Sequence, residues 1–219
     1  MSKSVGDEQD QNEDGYDSSM TLSEQFGNID IYLFDQLLRG NITPGMRVFD
    51  AGCGGGRNLV YLLREGYECF GVDGSVEAVD YVREMARHLQ PELPAGNFRA
   101  EAIEAMSFAN GIADVVLCNS VLHFARDDAQ FEGMLRGLWR VLRPGGLMFC
   151  RLASSIGKDF QRISGRRFLL PGDVEWYLVD EALLLRLTAA LGGELVDPLK
   201  TTVIQESRCM TTWVVRKGA

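Results

Sequence analysis

Hydrophobic positions along this chain recur at two periods that take turns. In "IDIYLFDQLLRG" the apolar residues fall at helical spacing and Gly40 closes the run, whereas "MRVFDAG" groups its apolar residues as a short strand. "RNLVYLLREG" reads as a helix stopped by Gly66, and "ECFGVD" as a second strand. "SVEAVDYVREMARHL" is a helix that Ser75 is placed to cap, and "ADVVLCNS" is a buried strand after a loop region. "AQFEGMLRGLWRVL" is the next amphipathic helix, turned by "PGG" into the strand "LMFCRLA". This alternation predicts an α/β fold: a parallel sheet with helices on both faces and ligands bound beyond the carboxyl ends of the strands.

The carboxyl-terminal part departs from the alternation. "VDEALLLRLTAAL" is a helix ending at Gly192, but "ELVDPLKTTVIQ" and "CMTTWVVRK" are strand-like runs separated only by "ESR". So short a connection permits an antiparallel hairpin and not a parallel crossover, so one antiparallel strand joins the sheet. Residues 154–178 form a long segment that mixes Lys158, Arg162, Arg166 and Arg167 with Phe160, Phe168, Trp176 and Tyr177. Loops of that length in a compact domain are often lids, here on the substrate side. At the other end, residues 1–18 are acidic and too polar to bury, and are expected to form a flexible tail. Residues 19–45 carry Met20, Leu22, Phe26, Ile31, Leu33 and Phe34, enough apolar surface to dock on the single domain expected over 19–219.

Composition narrows the function. A chain of 219 residues with 46% hydrophobic content suits one domain with one core. The net charge of -9 argues against nucleic acid, because phosphate backbones are held by clustered Lys and Arg. No apolar run approaches the roughly 18 residues of a membrane span, and the acidic start is unlike a signal peptide, so a cytoplasmic protein is expected. The 5 cysteines are odd in number and mostly embedded in apolar runs, which favours free thiols. With only His88 and His123 and neither CxxC nor HExxH, no metal site is expected.

The chemistry concentrates in "VFDAGCGGGRN". Gly52, Gly54 and Gly56 remove side chains where the first strand turns into a helix, so that a bulky ligand can lie against the main chain near the helix amides. Asp50 can order that loop or attract an ammonium group. Asp73, closing the second strand, can accept two hydrogen bonds from vicinal ribose hydroxyls. A nicotinamide-binding domain uses a similar plan, but its GxGxxG fingerprint, counted from Gly52, requires glycine where Arg57 stands.

The acidic-x-Gly-x-Gly-x-Gly turn of Asp50, Gly52, Gly54 and Gly56, with Asp73 after the second strand, resembles the class I S-adenosylmethionine-dependent methyltransferases. "DVVLCNSVLHF" and "LRPGGLMF" look like that family's fourth-strand motif and the turn before its fifth strand, and the resemblance spans about residues 30 to 217. "GRN" and "REGYEC" are further similar to its tellurite-resistance and thiopurine branch. The resemblance implies a Rossmann-like doubly wound sheet of seven strands, mostly parallel with one antiparallel strand from the terminal hairpin. It implies S-adenosyl-L-methionine as cofactor, held by Asp50, Gly52, Cys53, Gly54, Gly56, Asp73, Gly74 and Ser75. The backbone at Ala102 and Ile103 would border the adenine, with either Glu101 or Ala102 at the usual acidic position. Asn119 would lie near the methionyl amine, and Val72 and Leu122 would pack the base and the sulfonium end. Residues 19–45 would close over the cofactor as N-terminal lid helices.

Methyl transfer from a sulfonium is favoured mainly by holding the acceptor in line in a site closed to water, so a base is not required. His123 is the acid–base candidate, or else a ring packed in the wall. Arg57 and Arg166 are candidates for meeting an anionic acceptor. The expected reaction is methyl transfer to a small molecule; the alternatives are a nicotinamide-dependent oxidoreductase, a non-catalytic S-adenosylmethionine-binding protein and a protein methyltransferase.

Overall fold

A computed structural model describes residues 20–219, so the acidic segment 1–18 lies outside the described residues. Helix α1 (Leu22–Phe26) opens on a capping box in which Thr21 and Glu24 satisfy each other's backbone amides. Helix α2 (Ile31–Leu38) is capped by the Asp30 carboxylate, which accepts from the Tyr32 N–H. Then come β1 (Arg47–Ala51), α3 (Val60–Arg64), β2 (Glu68–Asp73), α4 (Val76–Leu89), β3 (Phe98–Ala100), β4 (Ala113–Asn119), α5 (Asp128–Val141) and β5 (Leu142–Ala153). Ser75 caps α4, its hydroxyl accepting from the Ala78 N–H at 3.2 Å. The expected turn at "PGG" is instead an irregularity inside β5. The pairing of β4 with β5 shifts register between Ala113 and Val115, and Gly145 takes up the slack at φ +72°.

The segment expected to be a long loop folds as an antiparallel meander, β6 (Gln161–Ser164), β7 (Arg167–Leu170) and β8 (Val174–Tyr177). Gly165 and Gly172, both at positive φ, supply the two turns. Phe168 and Leu170 bury against Ala153 and Met210, which anchors this small sheet on the main one. After α6 (Glu181–Ala190), the run "ELVDPLKTTVIQ" splits into β9 (Gly193–Leu195) and β10 (Lys200–Ile204), both pairing antiparallel with β11 (Arg208–Lys217). The break falls at Asp197 and Pro198. Proline has no N–H to give a ladder, and the Asp197 carboxylate is turned to Gln36 and Arg39 of the α2 region.

The main sheet has the order β10-β11-β5-β4-β1-β2-β3, with β9 also on β11. Strands β1 to β5 run parallel and β11 runs against them. Alternation along each strand sends side chains to two cores. Met148, Cys150 and Trp213 meet Phe131, Leu135 and Leu138 of α5 and Leu184 of α6. Val48, Phe149 and Val214 meet Leu33 of α2, Leu62 and Leu63 of α3 and Val79 and Val82 of α4. The 5 cysteines are free and buried.

Candidate active site

A cavity of about 690 Å³ opens beyond the carboxyl ends of β1, β2 and β4. Gly52, Cys53, Gly54 and Gly55 line it with Arg57 and Asn58; Asp73 and Gly74 come from the end of β2, and Glu101, Ala102, Ile103 and Glu104 from beyond β3. Asn119, Ser120 and Val121 follow β4, and Phe124 and Met134 complete the wall.

The three alternate glycines of the loop do different work. At Gly52 (φ +80°) a Cβ would stand 2.4 Å from Val121 Cγ2, so the bare backbone lets the loop press against the segment after β4. The N–H groups of Gly52 and Cys53 both donate to the Val72 carbonyl, at 2.8 and 3.0 Å. Gly56 (φ +71°) faces α4, where a Cβ would meet Met85 at 2.4 Å, and it does not line the cavity. Gly54, by contrast, has nothing within 4 Å of where its Cβ would be, and neither has Gly74.

Asp73 ties these pieces together. Its Oδ2 accepts from the Gly54 N–H and its Oδ1 from the Ser75 N–H, each at 2.9 Å. Each carboxylate oxygen keeps acceptor capacity beyond those bonds. Glu101 and Ala102 both line the cavity, but the Glu101 carboxylate is engaged by the Ser107 N–H at 2.7 Å and hydroxyl at 2.6 Å. Although burial opposes it, those bonds and nearby Arg99 hold the Glu101 carboxyl below its usual range. Asn119 accepts from the Ser120 hydroxyl at 3.0 Å through Oδ1, while its Nδ2 is buried without a partner among the described residues.

Asp50, Gly56, Ser75, His123 and Arg166 are not brought to the cavity. Asp50 is 2% exposed within β1. Burial pushes its carboxyl up to about 7, with Arg57 opposing and Asp73 adding to the rise. Arg166 is taken by Asp180, donating to Oδ2 at 2.9 Å. The other cations of the meander region are likewise engaged: Lys158 with Glu206, Arg167 with Glu175, and Arg162 over the Phe168 ring. A basic surface facing an anionic acceptor is therefore not formed there. His123 is 2% exposed, its ring centroid 4.5 Å from that of Phe124 and 4.3 Å from that of Trp176. Its Nδ1 accepts from the Ala153 N–H at 3.4 Å, and burial, helped by Arg208, lowers its pKa to about 4. A neutral ring packed behind the wall, against Phe124 and Trp176, fits that geometry better than an acid–base group. Val72 and Leu122, expected beside the cofactor, are fully buried in the core.

Sequence reasoning missed Gly55, Asn58, Glu104, Ser120, Val121, Phe124 and Met134. Ser120 holds φ at +66°, a left-handed conformation rare for a residue with a side chain, and its N–H donates to the Arg151 carbonyl at 2.7 Å. For Ser120, Val121 and Phe124 the signal was "NSVLHF", where polar residues end a buried strand; the structure leaves Phe124 59% exposed.

The chemistry of this cavity fits S-adenosyl-L-methionine. A carboxylate with spare acceptor sites suits vicinal hydroxyls, the open space at Gly54 and Gly74 lets a ligand touch backbone, and Ile103, Val121 and Met134 offer apolar wall. Residues 49–150 match the family model described as a methyltransferase domain. An uncharacterised methyltransferase of Synechocystis sp. is 32% identical over 165 residues, covering 75% of this chain and 71% of the relative. The chain belongs to the methyltransferase family. It is a class I S-adenosylmethionine-dependent methyltransferase, with S-adenosyl-L-methionine as its cofactor. A ubiquinone biosynthesis O-methyltransferase of Methylocella silvestris is 32% identical over 127 residues, covering 58% of this methyltransferase and 47% of the relative, so the chain spans about half that enzyme's length. The crystal structure of 1,6-didemethyltoxoflavin-N1-methyltransferase from Burkholderia thailandensis, with bound 1,6-didemethyltoxoflavin and S-adenosylhomocysteine, shares the fold at TM-score 0.65 and 21% identity, over 84% of this chain and 76% of that one. Among the described residues, no helix of the methyltransferase is long and apolar enough to cross a membrane.

Proposed function

We propose that this methyltransferase moves a methyl group to a small-molecule acceptor by in-line displacement, in a site closed by two segments of its own chain. The observation that carries the reading is the cavity of about 690 Å³ bounded by Asp73, the Gly54 backbone and Asn119, a volume in the range of small-molecule sites. When bound, S-adenosyl-L-methionine supplies a methyl already activated on a sulfonium. Asp73 accepts the ribose hydroxyls, the backbone from Ala102 to Ile103 borders the base, and Asn119 lies toward the methionyl end. No residue needs to act as a base, consistent with a His123 that is buried and neutral.

The N-terminal segment is bonded to residues of the cavity wall, and the meander packs beside that wall at Phe124 and its neighbour Ala125. From the N-terminal side the Asp30 N–H donates to Asn58 Oδ1 at 3.0 Å, and Arg57 donates to the Asn28 carbonyl at 3.3 Å. From the meander, Arg167 donates to the Ala125 carbonyl at 3.2 Å and Trp176 stands edge-on to Phe124 at 6.3 Å. Segments 19–45 and 154–178 thus act as lids that exclude water from the reacting atoms. The O- and N1-methyltransferase names of two similar proteins support an oxygen or nitrogen nucleophile on a small molecule.

The test is turnover with S-adenosylmethionine and a panel of phenols, carboxylic acids, amines, transfer RNA and bulk protein, scored by release of S-adenosylhomocysteine. Turnover among the small molecules is expected. Turnover with protein or RNA alone, or binding of the cofactor with no turnover by any acceptor class, would overturn the proposal.

A further inference from the structure

The register of the sheet sets three polar residues in one row. Asn119 of β4 lies opposite Arg151 of β5, and Arg151 lies opposite Thr212 of β11. Paired neighbours share a face, and alternation along β5 and β11 makes it the face of Phe149 and Val214, which Leu33 of α2 covers. In each of the three residues one side-chain atom is buried without a hydrogen-bond partner: Asn119 Nδ2, Arg151 Nε and Thr212 Oγ1. Among the described residues only Gln90 Oε1 shares that condition. Such atoms are rare in folded chains, so three of them at successive positions of one row call for a common explanation.

The row is chemically one-sided. An amide Nδ2 and a guanidinium Nε can only donate, and the threonine hydroxyl can do so as well. The Ser120 hydroxyl occupies Asn119 Oδ1, which turns Nδ2 the other way. Asp30 takes Arg151 Nη1 at 3.3 Å, and the guanidinium lies 5.2 Å from the Tyr32 ring centroid, so the group is oriented while its Nε stays unspent. At one end the row enters the cavity through Asn119. Its roof is the start of α2, where the Tyr32 hydroxyl bonds the Thr202 hydroxyl at 2.6 Å.

We infer that this row is the acceptor subsite, and that it takes a small molecule bearing a carboxylate or similar oxyanion. Arg151 and Thr212 hold the oxyanion, and Asn119 directs the other end of the molecule, with its nucleophile, into the cavity. The inference rests on the methyl-transfer reading above and adds to it the chemical class of the acceptor. A charge-assisted bond to Arg151 is the anchor. Because the three atoms are closed off, entry requires the Asp30 end of α2 to lift and then to close again over the bound acceptor.

The test uses the full chain with and without saturating S-adenosylhomocysteine, and probes it with benzoate and with its neutral analogue benzamide by ligand-observed NMR. Benzoate is expected to bind at least tenfold more tightly than benzamide. Arg151→Gln and Thr212→Val are each expected to weaken benzoate tenfold or more, and Thr212→Val, which breaks no contact of Asp30, is expected to leave S-adenosylhomocysteine affinity within twofold. Thr212→Val removes an unpartnered hydroxyl, so it keeps the fold and the experiment stays decisive should Arg151→Gln disturb packing. Equal binding of the two probes, or benzoate affinity unchanged in both variants, overturns the inference and leaves the row as a place for ordered water only. Failure of S-adenosylhomocysteine to bind the unsubstituted chain overturns the cofactor reading instead, and the benzoate measurements made without it keep the two failures apart.

Discussion

The N–H of Gly54 donates to Oδ2 of Asp73 at 2.9 Å, so the carboxylate proposed to hold the ribose also fixes the loop that borders the same ligand. Asp73→Ala therefore removes two things at once, the acceptor for the hydroxyls and the tie to Gly54 and Ser75. Affinity for S-adenosylhomocysteine should fall by about 1.5–3 kcal/mol for each charge-assisted bond lost, with the fold intact. Calorimetry on the two chains checks this, and equal affinities would remove Asp73 from the site.

The glycine loop separates stability from binding. Gly52→Ala places a methyl at φ +80° and 2.4 Å from Val121, which costs about 1–2 kcal/mol for the left-handed backbone and about 1–3 kcal/mol for overpacking. Val121→Ala in the same chain should recover the packing part. Gly54→Ala meets nothing within 4 Å, so it should cost stability only through its φ of +50° while its methyl occupies ligand space. Denaturant melts and cofactor titrations of both variants should show opposite patterns; the same pattern in both would mean that Gly54 does not face the ligand.

Asp50 gives the methyltransferase a pH dependence with a definite sign. Burial pushes its folded carboxyl from the usual 3.8 up to about 7, so the folded chain holds this proton more tightly than the unfolded chain. The stabilising contribution is fully present below about pH 4 and is lost as pH rises through about 7. Asp50→Asn cannot lose it. The variant should gain stability relative to the parent between pH 5 and 8, by up to about 4 kcal/mol. Melting curves across that range decide the matter, and a constant difference would show that Asp50 does not titrate there.

What was legible in advance follows from how local each signal is. The strand "ECFGVD" and the helix after Ser75 are written in short apolar runs and a cap, and the structure has them as β2 and α4. The hairpin was legible from the brevity of "ESR", but the split of "ELVDPLKTTVIQ" was not, because it depends on Asp197 meeting Arg39 from a distant part of the chain. Likewise, charge counting marked Arg166 as an anion site while the fold supplies Asp180 to engage it. The row of Asn119, Arg151 and Thr212 is invisible in sequence, since only the register of three strands makes neighbours of residues so far apart.

Asp30 is where the leading segment is joined to the site, and it supplies the test of whether that segment acts as a lid. Its N–H is held by Asn58, its Oδ1 caps α2 through the Tyr32 N–H, and its Oδ2 lies 3.3 Å from Arg151 and 3.8 Å from Arg57. Upstream, Phe26 stacks on Tyr61 at 5.2 Å and stands edge-on to Phe34 at 5.0 Å, so α1 and α2 rest on α3 as a unit. Asp30→Ala should cost about 1 kcal/mol for the lost cap and more for two arginines left without their carboxylate. The loss should appear first as faster hydrogen exchange over residues 20–35, because the Asp30 contacts are what tie the start of α2 to Asn58, Arg57 and Arg151. Adding S-adenosylhomocysteine to the unsubstituted chain should slow exchange over the same residues, since Arg57 and Asn58 line the cavity and pass the ordering on. Deleting residues 1–29 should weaken cofactor binding while the sheet, whose first strand begins at Arg47, still folds. Unchanged exchange on adding the ligand, together with unchanged affinity after the deletion, would leave α1 and α2 as plain packing against α3 and discard the lid.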